Sequence, residues 1–159
     1  MLGLVTGAEI FGVLPRPAAG RIAEYMNSDL GDSILIAPGS VEDVERGQEV
    51  PELTVFLRHV TYVQPWATAE LPVNVELQVP RGRSVVELTL VLRTRVVVSG
   101  TIYLPPGVDL GGMLGRVDEA FLRFGRAVLR SPDGQTRAAD GILVSREHMM
   151  IARREGGRL

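Results

Sequence analysis

A chain of 159 residues, 45% hydrophobic and 23% charged, can hold one ordinary domain or two very small ones and is too apolar to stay disordered. The absence of Cys excludes disulfides, thiolate nucleophiles and Cys-based zinc sites, and two His leave too few ligands for a His-rich metal site. All 17 basic residues are Arg, and charge is segregated: residues 1–80 hold 4 Arg against 11 Asp and Glu, a net of −7, and residues 81–159 hold 13 Arg against 8, a net of +5, giving the overall −2.

That split predicts attraction between the two halves, within one chain or between chains. Arg-only usage reads either as a GC-rich genome or as selection for guanidinium contacts. No apolar run reaches the roughly 20 residues of a membrane-spanning helix. The opening MLGLVTGAEIFGVLP has no basic region ahead of its apolar part and carries Glu9 inside it, so no signal peptide is expected and a cytoplasmic location is.

In chain order, Leu2, Leu4, Ile10 and Phe11 predict a strand or hairpin broken near Gly7. PRPAAG turns the chain, since two prolines exclude a regular strand. Ile22, Tyr25 and Met26 then stand at i, i+3 and i+4, one face of a short helix that Asn27 and Gly31 can end. Ile34 and Ile36 alternate as in a strand, and the acidic stretch 41–48 predicts a loop. VPELTVFLRHVTYVQP reads as a strand closed by Pro65, and residues 66–70, with the single Trp66, read as a linker.

VNVELQV alternates Val73, Val75, Leu77 and Val79 with polar partners, a half-buried strand. After the PRGR turn, residues 84–106 predict one long strand or two with a kink near Arg93, and Gly100 inside them predicts a bulge or a close backbone approach. Leu110, Met113 and Leu114 repeat the i, i+3, i+4 face, and that face and the one on Ile22, Tyr25 and Met26 are both expected in the core. Residues 118–130 fit either a helix or a strand, with the strand favoured by the repeat described next. SPDG is a turn, GILVSREHMMIA is a strand pair or one bent strand, and 156–159 is a frayed tail.

A shift of 88 residues carries Gly12 onto Gly100, Ile22 onto Leu110, Met26 onto Leu114 and Ile36 onto Phe124. One inserted residue later, it carries His59 onto His148, Val60 onto Met149 and Tyr62 onto Ile151. The order of features also recurs: a Gly-containing strand, a Pro turn, a short helix, a strand, a turn and a strand with His. The expected fold is therefore mainly β with short helices (β-rich α+β). It is two tandem small barrel-like or half-barrel modules from an internal duplication, either separate or sharing one sheet. The boundaries are an acidic module over 1–65, a linker or first strand over 66–82, a basic module over 83–155, and the tail.

GVLPRPAAGRIAEYMN, ILIA and VFLRHVTYV together resemble a family of small uncharacterised bacterial domains. Its pattern is a Gly-containing strand, an Arg-Leu-x-Asp-Leu-Leu-Asn-type helix, a Phe-Ile-x-Leu strand and a closing strand. Arg21 and Asn27 stand at the helix motif's Arg and Asn, whereas Asp109 and Gly115 replace them in the second copy. The resemblance implies no activity, cofactor or partner.

Arg21 and Asn27 read as helix-end residues or as contact points for a partner. His59 and His148 read as strand-edge residues or, across a pseudo-two-fold axis, as a metal or pH-sensing pair. Arg93, Arg95, Arg116, Arg123, Arg126 and Arg130 form either a solvated or interface face or a surface for nucleic acid or an acidic partner. Few aromatics and the net acidity count against nucleic acid. No Walker loop, GxGxxG, GxSxG, HExxH or EF-hand loop occurs, so neither catalysis nor a cofactor is expected. The leading expectation is a non-catalytic bacterial scaffold or regulatory adaptor with a protein partner, self-associating as a homo-oligomer. The alternatives are a small-barrel nucleic-acid binder and a small-ligand sensor.

Overall fold

The protein is represented by a computed structural model that describes residues 1–4, 6, 8–12, 26–27, 32–37, 39–42, 49–64, 84–115 and 119–155. The expected linker with Trp66, the strand 73–79, the helix-face residues Ile22 and Tyr25, and the tail lie outside them.

The described chain is mainly β. Its strands are β1 (Leu2–Leu4), β2 (Glu9–Gly12), β3 (Ser33–Ile36), β4 (Gly39–Glu42), β5 (Glu49–Val50), β6 (Leu53–Phe56), β7 (Val60–Val63), β8 (Ser84–Leu92), β9 (Val97–Leu104), β10 (Phe121–Arg130), β11 (Thr136–Ser145) and β12 (Met149–Arg154). Helix α1 covers Leu110–Gly115, and short 3-10 turns at Leu57–His59 and Arg146–His148 precede β7 and β12. Ten strands form one antiparallel sheet in the order β12-β8-β9-β10-β11-β7-β1-β2-β4-β5, and β3 and β6 form a second sheet of two.

This corrects the barrel expectation. Among the described residues no sheet closes on itself, and the two halves are joined in one sheet where β11 pairs with β7. Two core clusters lie against the sheet. One holds Leu88, Leu90, Leu92, Val98, Ile102, Leu122 and Phe124 with Tyr62 from the N-terminal half. The other holds Leu2, Ile10, Met26, Ile34, Ile36 and Val60 with Phe121 and Leu143 from the C-terminal half. Successive strand residues point to opposite faces, so Phe121 enters one core and Leu122 the other. The strands at the join are thus buried on both faces, and VTYV and ILV lack the polar alternation of a half-exposed strand.

Several local expectations are revised. Residues 84–104 are two strands divided at Arg93, as the second alternative had it, but reversed there and not merely kinked. They are the hairpin β8–β9, reversed by a turn in which Arg95 N–H donates to Leu92 O (2.8 Å) and Arg95 adopts φ 63°. The stretches 51–64 and 136–154 each break at a 3-10 turn, and β4 occupies 41–42 where a loop was expected. Residues 121–130 are strand. Gly100 is the close approach its position implied: a Cβ there would sit 2.9 Å from Gly125 O and 3.1 Å from the Ala127 Cα, at the bulge where β10 slips against β9.

The pairing registers also recur at the spacing read from the sequence. Leu2 opposes Ile10 and, 88 residues on, Leu90 opposes Val98. Leu4 opposes Val60 and Gly3 opposes Tyr62 across an irregularity, as Leu92 opposes Met149 and Val91 opposes Ile151 across another. Ile34 opposes Val55, as Leu122 opposes Val144. Even the bond from Leu57 N–H to Asp32 O (2.8 Å) has a counterpart from Arg146 N–H to Ala120 O (2.9 Å). The onward pairing matches as well: Ile10 opposes Val41 and Phe11 opposes Ser40, as Val98 opposes Leu129 and Ser99 opposes Val128, so β4 stands where the C-terminal part of β10 does.

The two helical faces expected in the core separate. Met26 is buried at 2% exposure, whereas Leu110, Met113 and Leu114 are only partly buried at the rim of their core. Met26→Ala is therefore expected to cost about 2–5 kcal/mol, the range for a large-to-small change at a closed site, and Leu114→Ala clearly less. Urea melts of the two variants measure the difference.

Candidate functional site

The functional candidates fall in three places: the join between the halves, the outer face of β8–β9–β10, and the open strand edges.

At the join, Leu143 opposes Val63 and Val144 opposes Tyr62, all four side chains buried. The Tyr62 hydroxyl donates to Glu9 Oε1 (2.6 Å), and Glu9 Oε2 pairs with Arg137 at 3.2 Å. Part of the attraction between the acidic and basic halves is thus satisfied inside the chain. Asn27 adds a two-point bond: Phe121 N–H donates to its Oδ1 (2.8 Å) and its Nδ2 donates to Phe121 O (3.0 Å). A side-chain amide here satisfies both backbone groups where β10 begins. Asn27 is therefore placed in an intrachain contact; Arg21, its companion in the motif, lies outside the described residues, as does Arg116.

Burial and the bond to Glu9 both disfavour tyrosinate, so the Tyr62 phenol is pushed well above its ordinary value of 10.0. A group whose proton is held more tightly in the folded state stabilises the fold fully below its unfolded value and loses that contribution as pH rises past it. Stability is expected to fall above pH 10 by about 1.4 kcal/mol per pH unit from this group. Alkaline unfolding curves followed by tyrosinate absorbance check this: Tyr62→Phe should flatten that limb.

The histidines lie on the two 3-10 turns and differ sharply. His148 is buried, its Nε2 2.8 Å from Arg58 O, with no partner for Nδ1 among the described residues. His59 is exposed, and its Nε2 accepts from Arg58 Nε at 3.2 Å. Each Nε2 is engaged by Arg58, and no described group of three or more His, Cys, Asp and Glu could hold a metal. Arg146, which sequence reading missed, donates to Met113 O (2.8 Å) and Leu114 O (3.1 Å), tying α1 to the turn before β12.

Arg123, Arg126 and Arg130 share the exposed face of β10, and Arg126 takes φ 48° in the bulge. Arg93 and Arg95 are exposed in the β8–β9 turn, near the end of β10 where Arg130 opposes Val97. The face is not uniformly basic. A shallow open depression of about 240 Å³ is lined by Arg126 together with Glu87, Glu155, Ser99 and Thr101. Bonds from Arg153 and Thr89 hold the Glu155 carboxyl below its usual range and keep it charged.

The third place is the strand edges. On β12, Met150 is 62% and Ile151 57% exposed; on β6, Phe56 is 46% exposed with the Arg58 guanidinium 5.2 Å above its ring. Among the described residues both strands are bonded on one side only, β12 to β8 and β6 to β3.

Compared with known proteins, the chain matches no family model, no curated protein and no solved structure. The class that fold and candidate site define is accordingly an antiparallel β protein with an open ten-stranded sheet. No described helix is long and apolar enough to cross a membrane.

Proposed function

We propose that the protein is a non-catalytic scaffold or adaptor module, built from two copies of one β-rich unit, that self-associates through its open strand edges. The duplication is supported by the matched registers of β1–β2 with β8–β9, β1–β7 with β8–β12 and β3–β6 with β10–β11. The observation that carries the function is the β12 edge, bonded on one side among the described residues and presenting exposed Met150 and Ile151. An unpaired edge offers main-chain donors and acceptors, and adjacent apolar side chains add burial when another strand docks. The polar residues at the join support a structural role, since Asn27, Tyr62, Glu9 and Arg137 are tied to one another or to backbone.

Light scattering at low and high ionic strength tests the reading. A dimer or larger assembly is expected, and it should survive salt because the exposed groups are mainly apolar. A strict monomer under both conditions at high protein concentration would reject self-association.

A nucleic-acid reading has the Arg row of β10 in its favour. The carboxylates of Glu87 and Glu155 beside Arg126 oppose a phosphate backbone, so weak, strongly salt-sensitive binding at most is expected in a polarisation assay with labelled single strands.

A further inference from the structure

β6 and β11 occupy matching places in the two halves, and so do β7 and β12, yet among the described residues β11 pairs with β7 and β6 does not pair with β12. Both members of that pair are deeply buried where they meet, with Leu143, Val144, Tyr62 and Val63 all at 5% exposure or less. Their counterparts carry exposed apolar side chains: Ile151, which stands where Tyr62 does in the other half, is 57% exposed. We infer that the missing partner is a second copy of this chain, with β6 of each protomer pairing antiparallel to β12 of the other. This rests on the self-association reading and specifies its contact.

The register follows from the pair that exists. Moving Leu143↔Val63 and Val144↔Tyr62 by the 89-residue spacing gives Thr54↔Ala152 and Val55↔Ile151. Continued along both strands, it sets Phe56 against Met150, two of the most exposed apolar side chains, and Glu52 against Arg154. Large apolar side chains meet and opposite charges face each other, which a register shifted by one residue would undo. Within one chain β6 remains bonded to β3 and β12 to β8, although the His148–Arg58 bond holds the neighbouring turns together. A two-fold axis that sets each β6 against the other protomer's β12 buries both edges at once, so the assembly stops at a dimer.

The chain has no Cys, so introduced thiols report only the intended contact. Successive cross-strand pairs alternate between hydrogen-bonded and non-hydrogen-bonded geometry, so one of two adjacent pairs suits a disulfide. Thr54→Cys would be mixed with Ala152→Cys, and separately Leu53→Cys with Arg153→Cys, under mild oxidation. A covalent heterodimer is expected in at least one matched mixture and not when Thr54→Cys is mixed with Arg153→Cys. Ile151→Asp, at an exposed position, is expected to convert the dimer to monomer while circular dichroism stays unchanged. A monomeric internal disulfide in the Thr54→Cys/Ala152→Cys double variant would overturn the proposal by showing that β6 and β12 meet within one chain. A wild-type dimer that neither cross-links in this register nor responds to Ile151→Asp would overturn the contact and leave self-association standing. A wild-type monomer would overturn both.

Discussion

Replacing Phe124 with alanine is expected to cost about 3–5 kcal/mol, the upper range for a single core truncation. Phe124 is fully buried among Leu88, Leu90, Leu92, Ile102 and Leu122. It opposes Ile142 on β11, and its ring lies 3.4 Å from where a Cβ on Gly100 would be. Removing the ring leaves a cavity walled by regular strands, and strands held on both sides by ladder bonds relax little into an empty space. Chemical denaturation should show a lowered midpoint with an unchanged slope. A loss below about 1 kcal/mol would mean that the core collapses around the site.

The second large effect concerns Gly3. It opposes Tyr62 in the β1–β7 pair, and a Cβ at Gly3 would fall 2.1 Å from the Tyr62 ring. That ring cannot swing away freely, because it is buried and its hydroxyl is bonded to Glu9. Gly3→Ala is therefore expected to cost about 1–3 kcal/mol through overpacking. In a Tyr62→Ala background the same change should cost much less, so a double-mutant cycle should give a coupling on the order of 1–3 kcal/mol. Additive effects would show that Tyr62 is not what excludes a side chain at Gly3.

Much of the local structure was legible in the sequence. Alternation at Ile34 and Ile36 marks β3, SPDG marks the β10–β11 turn, and Gly100 marks the bulge against β10. The repeat spacing predicted which residues would stand in matching registers, because side-chain period and turn chemistry are local properties that one chain segment carries by itself. The spacing could not tell which edges would be paired. The i, i+3, i+4 face of Leu110, Met113 and Leu114 has the same pattern as that of Met26 and its neighbours, yet it reaches only the rim of a core. Periodicity states which side of a helix is apolar; depth depends on what packs over it.

His59 and His148 make the same point at the candidate site. Both end a 3-10 turn and both precede a strand, so their local sequence roles are alike. One is exposed, and the other is buried with its Nε2 on Arg58 O, a contact 90 residues away along the chain. Asn27 likewise reads as a helix terminator, and its bond to Phe121 spans 94 residues, which no local pattern encodes. By itself the sequence determined the β-rich character of the chain, several of its turns and the opposite charges of the halves. The tertiary structure alone decided that the halves join through β11 and β7, burying those strands on both faces, and that β6 and β12 are each paired on one side among the described residues. Strand pairing between distant segments depends on which edges meet, and side-chain alternation reports which faces of a strand are buried, not whether its edges are paired.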